Sequence, residues 1–326
     1  MKKIYYLLAV LIFLLFPFVT TSPYLQSLMI LTGIFALLAF GLDLMFGYTG
    51  VVSFGHAAFF AIGAYITGIL TERMEWSLAA TIPFVIIGST ICGLLIGLAT
   101  IRIGGIYFSL ASLGFAEIIR LVALNWSELT HGPMGLVLNP EKLRLIGSIP
   151  LKGEMAFYYL VLITVLITIY FVYRMRKSWI GRALMSIRDN EPLASSIGIS
   201  PVLYKVIIIS AGGGIASIAG SYYGYYYGLI TPMVSGVHYT TIALLAVMVG
   251  GRGTLAGPLL GAAIFALVPE LIPGEFSDLI FGAILLIVIL LSPNGLAPVL
   301  TRTFLSFRKK FNRVKKKEEG ELDVGT

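Results

Sequence analysis

The chain has 326 residues, of which 58% are hydrophobic and only 12% are charged, and its formal net charge is +7. Soluble domains carry about 25% charged residues, so too few polar side chains remain here for a water-facing surface, and a soluble fold is excluded. The positive charges cluster beside apolar segments, as membrane orientation requires, and therefore do not indicate nucleic-acid binding.

An all-α polytopic membrane protein is predicted from the apolar runs. A bilayer core about 30 Å thick needs roughly 20 helical residues. Gly, Pro and charged breaks separate ten candidate spans: 4–20, 26–46, 51–70, 78–100, 105–124, 155–173, 204–228, 237–250, 255–270 and 277–292. The eighth and ninth are short and are joined by a glycine-rich turn, so a broken or re-entrant pair is expected.

The distribution of Lys and Arg predicts the orientation. These residues concentrate before the first span, in the loop 174–205 and after the last span. Ten crossings place all three regions on one side, which the positive-inside rule identifies as the cytoplasm. Both termini are therefore predicted to be cytoplasmic. The first span also has the basic start of a signal peptide, but no clear small-residue cleavage site follows, which favours an uncleaved helix.

Three groups of glycines recur every four residues and predict close packing of helices in lipid. They are Gly93 and Gly97; Gly220, Gly224 and Gly228; and Gly253, Gly257 and Gly261.

Residues that would indicate an enzyme are missing from the sequence. The three histidines, His56, His131 and His238, have no metal-ligand spacing, and no nucleophile motif is present. There is no Gly-Lys dipeptide, so the chain lacks the P-loop that cradles nucleotide phosphates. We expect neither enzymatic activity nor a metal site, and no cofactor bound by this chain.

The loop between the sixth and seventh spans contains an amphipathic stretch, GRALMSIRDNEPLASSIGIS (181–200). Pro192 suits the first turn of a helix that Asn190 caps, and Gly198 is suited to end it. We therefore predict two short helices that meet at residues 189–191. One interpretation is a surface helix whose Arg182 and Arg188 contact anionic lipid; the other is a docking element for a cytoplasmic partner.

This stretch resembles the cytoplasmic coupling segment of permeases in ATP-binding cassette (ABC) importers of the branched-chain amino acid type, the LivM-like subunits. Three further blocks are similar to that family in the same order: GYTGVVSFGHAAFFAIGAY (47–65), GGIYFSLASLGFAEIIRLVALNWSELTHGPMGL (104–136) and VGGRGTLAGPLLGAAIFALVPEL (249–271). The resemblance covers roughly residues 28–295. One departure is Asp43, where such permeases often carry Asn.

The resemblance implies a transmembrane permease domain at 1–301 that contains a coupling segment at 174–203. A cytoplasmic tail at 302–326, expected to be disordered, would hold its basic part near anionic lipid. The implied partners are a second, paralogous permease, an extracytoplasmic solute-binding protein and two P-loop ATPase subunits that bind ATP and Mg.

In this interpretation the coupling segment transmits ATP-driven movement to the sixth and seventh spans. Leu184, Ile187 and Ile197 are expected to enter a groove on the ATPase, while Arg182, Asp189 and Glu191 fix the register. The full set of expected coupling residues is Gly181, Arg182, Leu184, Ile187, Arg188, Asp189, Glu191, Ala194, Ile197 and Gly198.

Branched-chain or other apolar amino acids are the implied substrates. Urea or short amides are the nearest alternative, since permeases for these compounds look similar. A secondary transporter that couples to an ion gradient through Asp43, Glu117 and Arg120 is a further alternative.

Polar residues inside the spans are candidates for the substrate pathway: Asp43, His56, Glu117, Arg120, Tyr223 and Tyr226. Glu117 and Arg120 share a helix face, so they form either a structural ion pair or a site for the amino-acid backbone charges. His56 is either a buried neutral side chain or a pathway residue, and Asp43 lies near a span end where water is expected to reach it. The loop 125–154 is a candidate docking surface on the outer side.

Overall fold

The computed structural model describes residues 22–100, 105–139, 143–146, 149–150 and 154–271, together with residue 17 and a few isolated residues between 282 and 299. The predicted first and tenth spans and the tail 302–326 lie outside these continuous ranges.

The described residues form eleven α-helices and four short strands. The helices are α1 Pro23–Thr49, α2 His56–Met74, α3 Leu78–Thr100, α4 Ile106–Asn125, α5 Ser127–Thr130, α6 Glu154–Lys177, α7 Trp179–Asp189, α8 Glu191–Ser196, α9 Pro201–Tyr227, α10 Val237–Gly250 and α11 Gly257–Leu271. The strands are β1 Leu136–Val137, β2 Arg144–Ile146, β3 Ile149–Pro150 and β4 Leu229–Ile230. Each predicted span from the second to the ninth coincides with one helix.

Among the described residues, five helices are long and apolar enough to cross a membrane, namely α1, α3, α4, α6 and α9, so the chain is a multi-pass membrane protein. Two of them form the centre of the bundle: the apolar windows of α1 and α9 are 72% and 67% buried, against 28% for α3 and α4 and 33% for α6. Helix α9 packs against α1, α2 and α3. The low burial of α3 and α4 shows that each has an open outer face.

Small residues let the central helices approach closely. A Cβ atom at Gly63 of α2 would overlap the carbonyl of Ser217 on α9, and one at Gly220 would overlap the carbonyl of Phe60. Gly41 and Gly212 bring α1 and α9 together in the same way. Because nothing larger than hydrogen fits between these backbones, packing of this kind depends on glycine.

The predicted glycine faces are confirmed in part. Gly261 packs against the carbonyl of Ala246, and Gly224 against the side chain of Ile230. Two of these glycines lie outside the helix interiors: Gly228, with φ of 68°, ends α9, and Gly253, also with φ of 68°, lies in a turn. Both adopt the left-handed conformation that glycine tolerates best, and Gly253 also packs against the backbone of Gly47 on α1.

Two two-stranded sheets lie at one end of α9. Strands β1, β2 and β3 belong to the connection that the sequence predicted only as a long loop, and β4 follows α9. Strand β1 pairs antiparallel with β4, and β2 pairs antiparallel with β3. The hydroxyl of Tyr225 donates to the carbonyl of Arg144 over 2.7 Å, which ties α9 to this layer.

At the opposite end of the bundle, α10 and α11 form the expected pair of short helices. The turn between them, residues 251–256, is held by the Thr254 hydroxyl, which donates to the carbonyl of Gly251 over 2.7 Å and accepts from the amide of Gly257 over 3.0 Å. A side-chain oxygen that accepts from an early helical amide satisfies a donor that has no partner within the helix. The turn and the start of α11 are thereby fixed to each other.

Candidate functional site

The amphipathic stretch folds as predicted into two short helices, α7 and α8, which we call the coupling element (residues 179–198). The Ser178 hydroxyl accepts from the amide of Gly181 over 3.3 Å and caps α7. Asn190 caps α8 through its side-chain oxygen, 3.0 Å from the amide of Leu193. Gly198, with φ of 87°, follows the end of α8. Since Pro192 lies in the first turn of α8, it costs no helical hydrogen bond.

The apolar side of α7 faces the chain itself. Leu184 and Ile187 are 0% and 3% exposed, and Leu184 packs with Phe40, Leu44 and Tyr48 of α1. The prediction that these two side chains enter a groove on another protein is therefore wrong, because both are already buried within the chain. Ala194 of α8 is also buried.

The exposed side of the coupling element carries a different set of residues. Trp179, Leu193 and Ile197 are 64%, 61% and 69% exposed. Arg182 and Asp189 are exposed as well. Arg188 and Glu191 are partly exposed too, so three large apolar side chains and four charged ones lie at the surface of the element. Of the predicted contact residues, Ile197, Arg182, Asp189 and Glu191 belong to this exposed set.

Three polar contacts fasten the coupling element to the bundle. The Arg182 guanidinium donates from Nη1 to the carbonyl of Lys177, the last residue of α6, over 3.1 Å. The Lys205 ammonium on α9 donates to both carboxylate oxygens of Glu191, each at 2.7 Å. The Arg188 guanidinium donates from Nη1 to the carbonyl of Gly47 on α1 over 2.7 Å. Lys205 thus binds the Glu191 carboxylate within the chain, although this side chain is half exposed; its expected role in fixing the register of a partner stays a prediction.

Asp43 and His56 are enclosed by the bundle. The Asp43 side chain is 1% exposed and accepts from the backbone amide of Gly253 over 2.7 Å, so the expected access of water is contradicted. His56 is 0% exposed and lies between the backbone of Gly41 and the ring of Phe59, 5.9 Å away.

Glu117 and Arg120 form the predicted ion pair on α4. Arg120 donates from Nε and Nη2 to the two carboxylate oxygens of Glu117, over 2.8 and 2.6 Å. The Glu117 side chain is 52% exposed and that of Arg120 is 25% exposed. Glu117 is the twelfth of the 20 residues of α4, about 17 Å from its start at 1.5 Å per residue. The pair therefore lies near the middle of a membrane-length helix, on its open face.

An apolar groove between α3 and α4 lies beside this pair. Its volume is about 400 Å³, and its lining includes Leu95, Ile96, Phe115 and Ile118. Gly114 also lines it and precedes Glu117 by three residues, which places the two side by side on the helix. An apolar surface and a pair of opposite charges thus adjoin on one face.

The tyrosines of α9 make contacts within the protein. The hydroxyls of Tyr223 and Tyr239 are 2.6 Å apart, and the hydroxyl of Tyr226 donates to Ser27 over 2.7 Å. Tyr227 is half exposed. The candidate pathway residues therefore lie in three separate places: near the coupling element, on the open face of α4, and at the far end of α9. Within the described residues no group of acidic, His and Cys side chains could hold a metal ion.

Comparisons with known proteins identify the family to which the chain belongs. Residues 24–289 match the family described as branched-chain amino acid transport system, permease component. The chain is 27% identical over 301 residues to the high-affinity branched-chain amino acid transport system permease protein LivM of Salmonella typhimurium, which covers 85% of this chain and 71% of that protein.

Two further relatives cover more of their own length. A probable branched-chain amino acid transport permease protein LivM of Methanocaldococcus jannaschii is 23% identical over 82% of this chain and 91% of its own. The permease protein LivH of Salmonella typhimurium is 23% identical over 80% and 90%. No solved structure matches the chain. The chain belongs to the family of branched-chain amino acid transport permease components: it is a multi-pass protein of the cell membrane and a transport subunit, not an enzyme.

Proposed function

We propose that this chain is one permease subunit of an ABC importer that carries branched-chain amino acids into the cell and is driven by two ATPase subunits on separate polypeptides. The observation that carries the proposal is the exposed side of the coupling element. It presents Trp179, Leu193 and Ile197 to solvent, while its buried side is fastened to α1 and α9. Such an element can accept force from a docked partner and pass it to the bundle.

The remaining parts of the proposed importer follow from the family. Relatives named LivM and LivH both match this chain, which supports a second, paralogous permease beside it. An extracytoplasmic binding protein would deliver the substrate, and ATP and Mg would bind to the ATPase subunits. Ten spans with both termini in the cytoplasm would place the coupling element on the ATPase side.

The substrate pathway is proposed to follow the open face of α4. A charged group near the middle of a bilayer is energetically unfavourable and normally faces a protein neighbour or a water-filled cavity. Glu117 is half exposed at that depth, so this face would not be directed at lipid. We place the second permease opposite it, with the pathway between the two chains.

The chemistry of this face suits a branched-chain amino acid. The Arg120 guanidinium and Glu117 carboxylate match the substrate carboxylate and ammonium, and the adjoining groove of about 400 Å³ is lined by apolar side chains. Urea has no apolar side chain that such a groove would hold. We therefore favour leucine, isoleucine and valine over urea.

The docking surface can be tested in the assembled importer. Replacing Leu193 and Ile197 by alanine should lower ATP-driven leucine uptake and weaken ATPase binding without changing folding, because both side chains are exposed. The matched control is Met233→Ala, which is 69% exposed and lies beyond the opposite end of α9. Equal uptake by the double variant and the control would reject the docking role.

The substrate class is tested in the same vesicles by competition. Unlabelled isoleucine and valine should compete with labelled leucine, while urea at the same concentration should not. Competition by urea alone would favour the amide alternative.

A further inference from the structure

The coupling element touches the bundle at a place that is not covalently next to it. Arg188, the penultimate residue of α7, donates to the carbonyl of Gly47 over 2.7 Å. This carbonyl lies in the last turn of α1, where the helix provides no later amide to bind it. Arg188 therefore supplies a partner that the end of α1 lacks, and the same side chain packs near Gly50, just beyond that helix.

The same turn of α1 also meets the turn between α10 and α11, and a Cβ atom at Gly253 would lie 3.2 Å from the Gly47 carbonyl oxygen and 3.8 Å from Nη1 of Arg188. A Cβ atom at Gly47 would lie 2.6 Å from the amide nitrogen and 2.9 Å from the Cα atom of Gly253, so the two backbones are in direct contact. The amide of Gly253 donates to the carboxylate of Asp43, one turn before Gly47, over 2.7 Å. Arg252 adds a contact over the ring of Phe46, 5.6 Å from its centre.

The end of α1 thus contacts both the coupling element and the turn between α10 and α11. The Thr254 side chain ties Gly251 to Gly257 across this turn, so we expect a displacement of Gly253 to displace the start of α11. Two other polar attachments of the coupling element, Glu191 to Lys205 and Arg182 to the carbonyl of Lys177, lead to α9 and α6, which adjoin the element in sequence. Movement of the element can therefore reach the bundle through these two helices and, separately, through the end of α1.

We propose that Arg188 and Asp43 are positioning residues which pass the movement of the coupling element, through the last turn of α1, to the turn between α10 and α11. The inference rests on the proposed function, since it assumes that an ATPase moves the element. It assigns the intramembrane carboxylate of Asp43 to coupling, as an acceptor for Gly253, and not to a substrate or ion pathway. The requirement at position 43 is an oxygen acceptor of this size, which asparagine also provides.

The test follows the reactivity of a cysteine placed in the turn. Ala256 is exposed, and the single native cysteine, Cys92, is first replaced by alanine. In the complete importer in lipid vesicles, the rate at which N-ethylmaleimide modifies Ala256→Cys is measured without nucleotide and after trapping with ATP and vanadate. Movement of the turn should change this rate by about threefold or more, as expected for a segment with two discrete arrangements.

The variants separate coupling from folding. Asp43→Asn should keep the nucleotide-dependent change, while Asp43→Leu and Arg188→Ala should abolish it and leave the nucleotide-free rate close to that of the parent. A merely structural defect would instead alter the nucleotide-free rate or prevent assembly. Should Asp43→Leu not assemble, Arg188→Ala decides, because that side chain is partly exposed.

Either of two results would overturn the inference: a parent protein whose rate is insensitive to nucleotide, or an assembled Asp43→Leu or Arg188→Ala variant that keeps the full change. Leucine uptake measured on the same vesicles identifies which idea has failed. If vesicles of the parent show no ATP-driven uptake, the proposed function itself is contradicted. If uptake is normal and the variants keep the parent's ratio of modification rates with and without nucleotide, only this route is contradicted.

Discussion

Replacing Glu191 by glutamine removes the charge that neutralises the buried ammonium of Lys205. The two groups are 2.7 Å apart, and their side chains are 47% and 8% exposed. An exposed ion pair contributes about 0–1 kcal/mol, whereas removing one partner of a fully buried pair costs about 3–5 kcal/mol. Lys205 is buried, Glu191 is half exposed, and a glutamine can still hydrogen-bond to the ammonium. We therefore expect the substitution to lower the free energy needed to open the coupling element by about 2 kcal/mol.

This cost should appear as local opening of the coupling element. At 1.4 kcal/mol for each factor of ten, about 2 kcal/mol raises the open population roughly 30-fold. Trypsin cleavage at Arg182 and Arg188 of the purified protein reports that population when closing is faster than cleavage. The rate should rise about 30-fold in Glu191→Gln.

The double variant Glu191→Gln with Lys205→Met is the control. It removes the buried ammonium together with its partner, so cleavage should return to within about threefold of the wild-type rate. If Glu191→Gln alone were cleaved no faster than the wild type, the ion pair would not fasten the coupling element, and this reasoning would be refuted.

Three further predictions concern packing and the pathway. Gly220→Ala should destabilise the protein by about 2 kcal/mol, because the added methyl overlaps a backbone carbonyl. The control is Gly114→Ala, which has open space around the added methyl and should leave the melting temperature unchanged or slightly raised. Leu184→Ala should destabilise the chain by about 3 kcal/mol in the absence of any ATPase, since α1 buries this side chain; an unchanged melting temperature would show that it packs elsewhere. Glu117→Gln should lower leucine uptake at least about tenfold by removing the ammonium partner, while Glu128→Gln, an exposed carboxylate beyond the end of α4, should not; equal uptake by the two would remove Glu117 from the pathway.

Local signals in the sequence were sufficient to predict the shape of the coupling element. The cap at Asn190, the first-turn Pro192 and the terminating Gly198 act within a few residues of one another, and the structure contains the two helices that they predict. The Glu117 and Arg120 pair was predictable for the same reason, because residues three apart on a helix are neighbours.

Contacts between distant parts of the chain were not predictable in this way. Helical spacing shows that Leu184 and Ile187 share a face, but it does not show which surface covers that face, and the chain itself buries both side chains in place of a partner. Asp43 and Gly253 are separated by 210 residues, so no local pattern could reveal that a turn backbone binds the carboxylate. The pairing of β1 with β4 was missed because each strand has only two residues.

Leucine uptake into lipid vesicles that contain either the complete importer or this chain alone tests most directly what drives transport. Concentrative uptake is expected only when the ATPase subunits, the second permease, the binding protein and ATP are all present. The chain alone should show none under a proton or sodium gradient. Uphill transport by the isolated chain on such a gradient would contradict the claim that an ATPase on another polypeptide drives it through the coupling element.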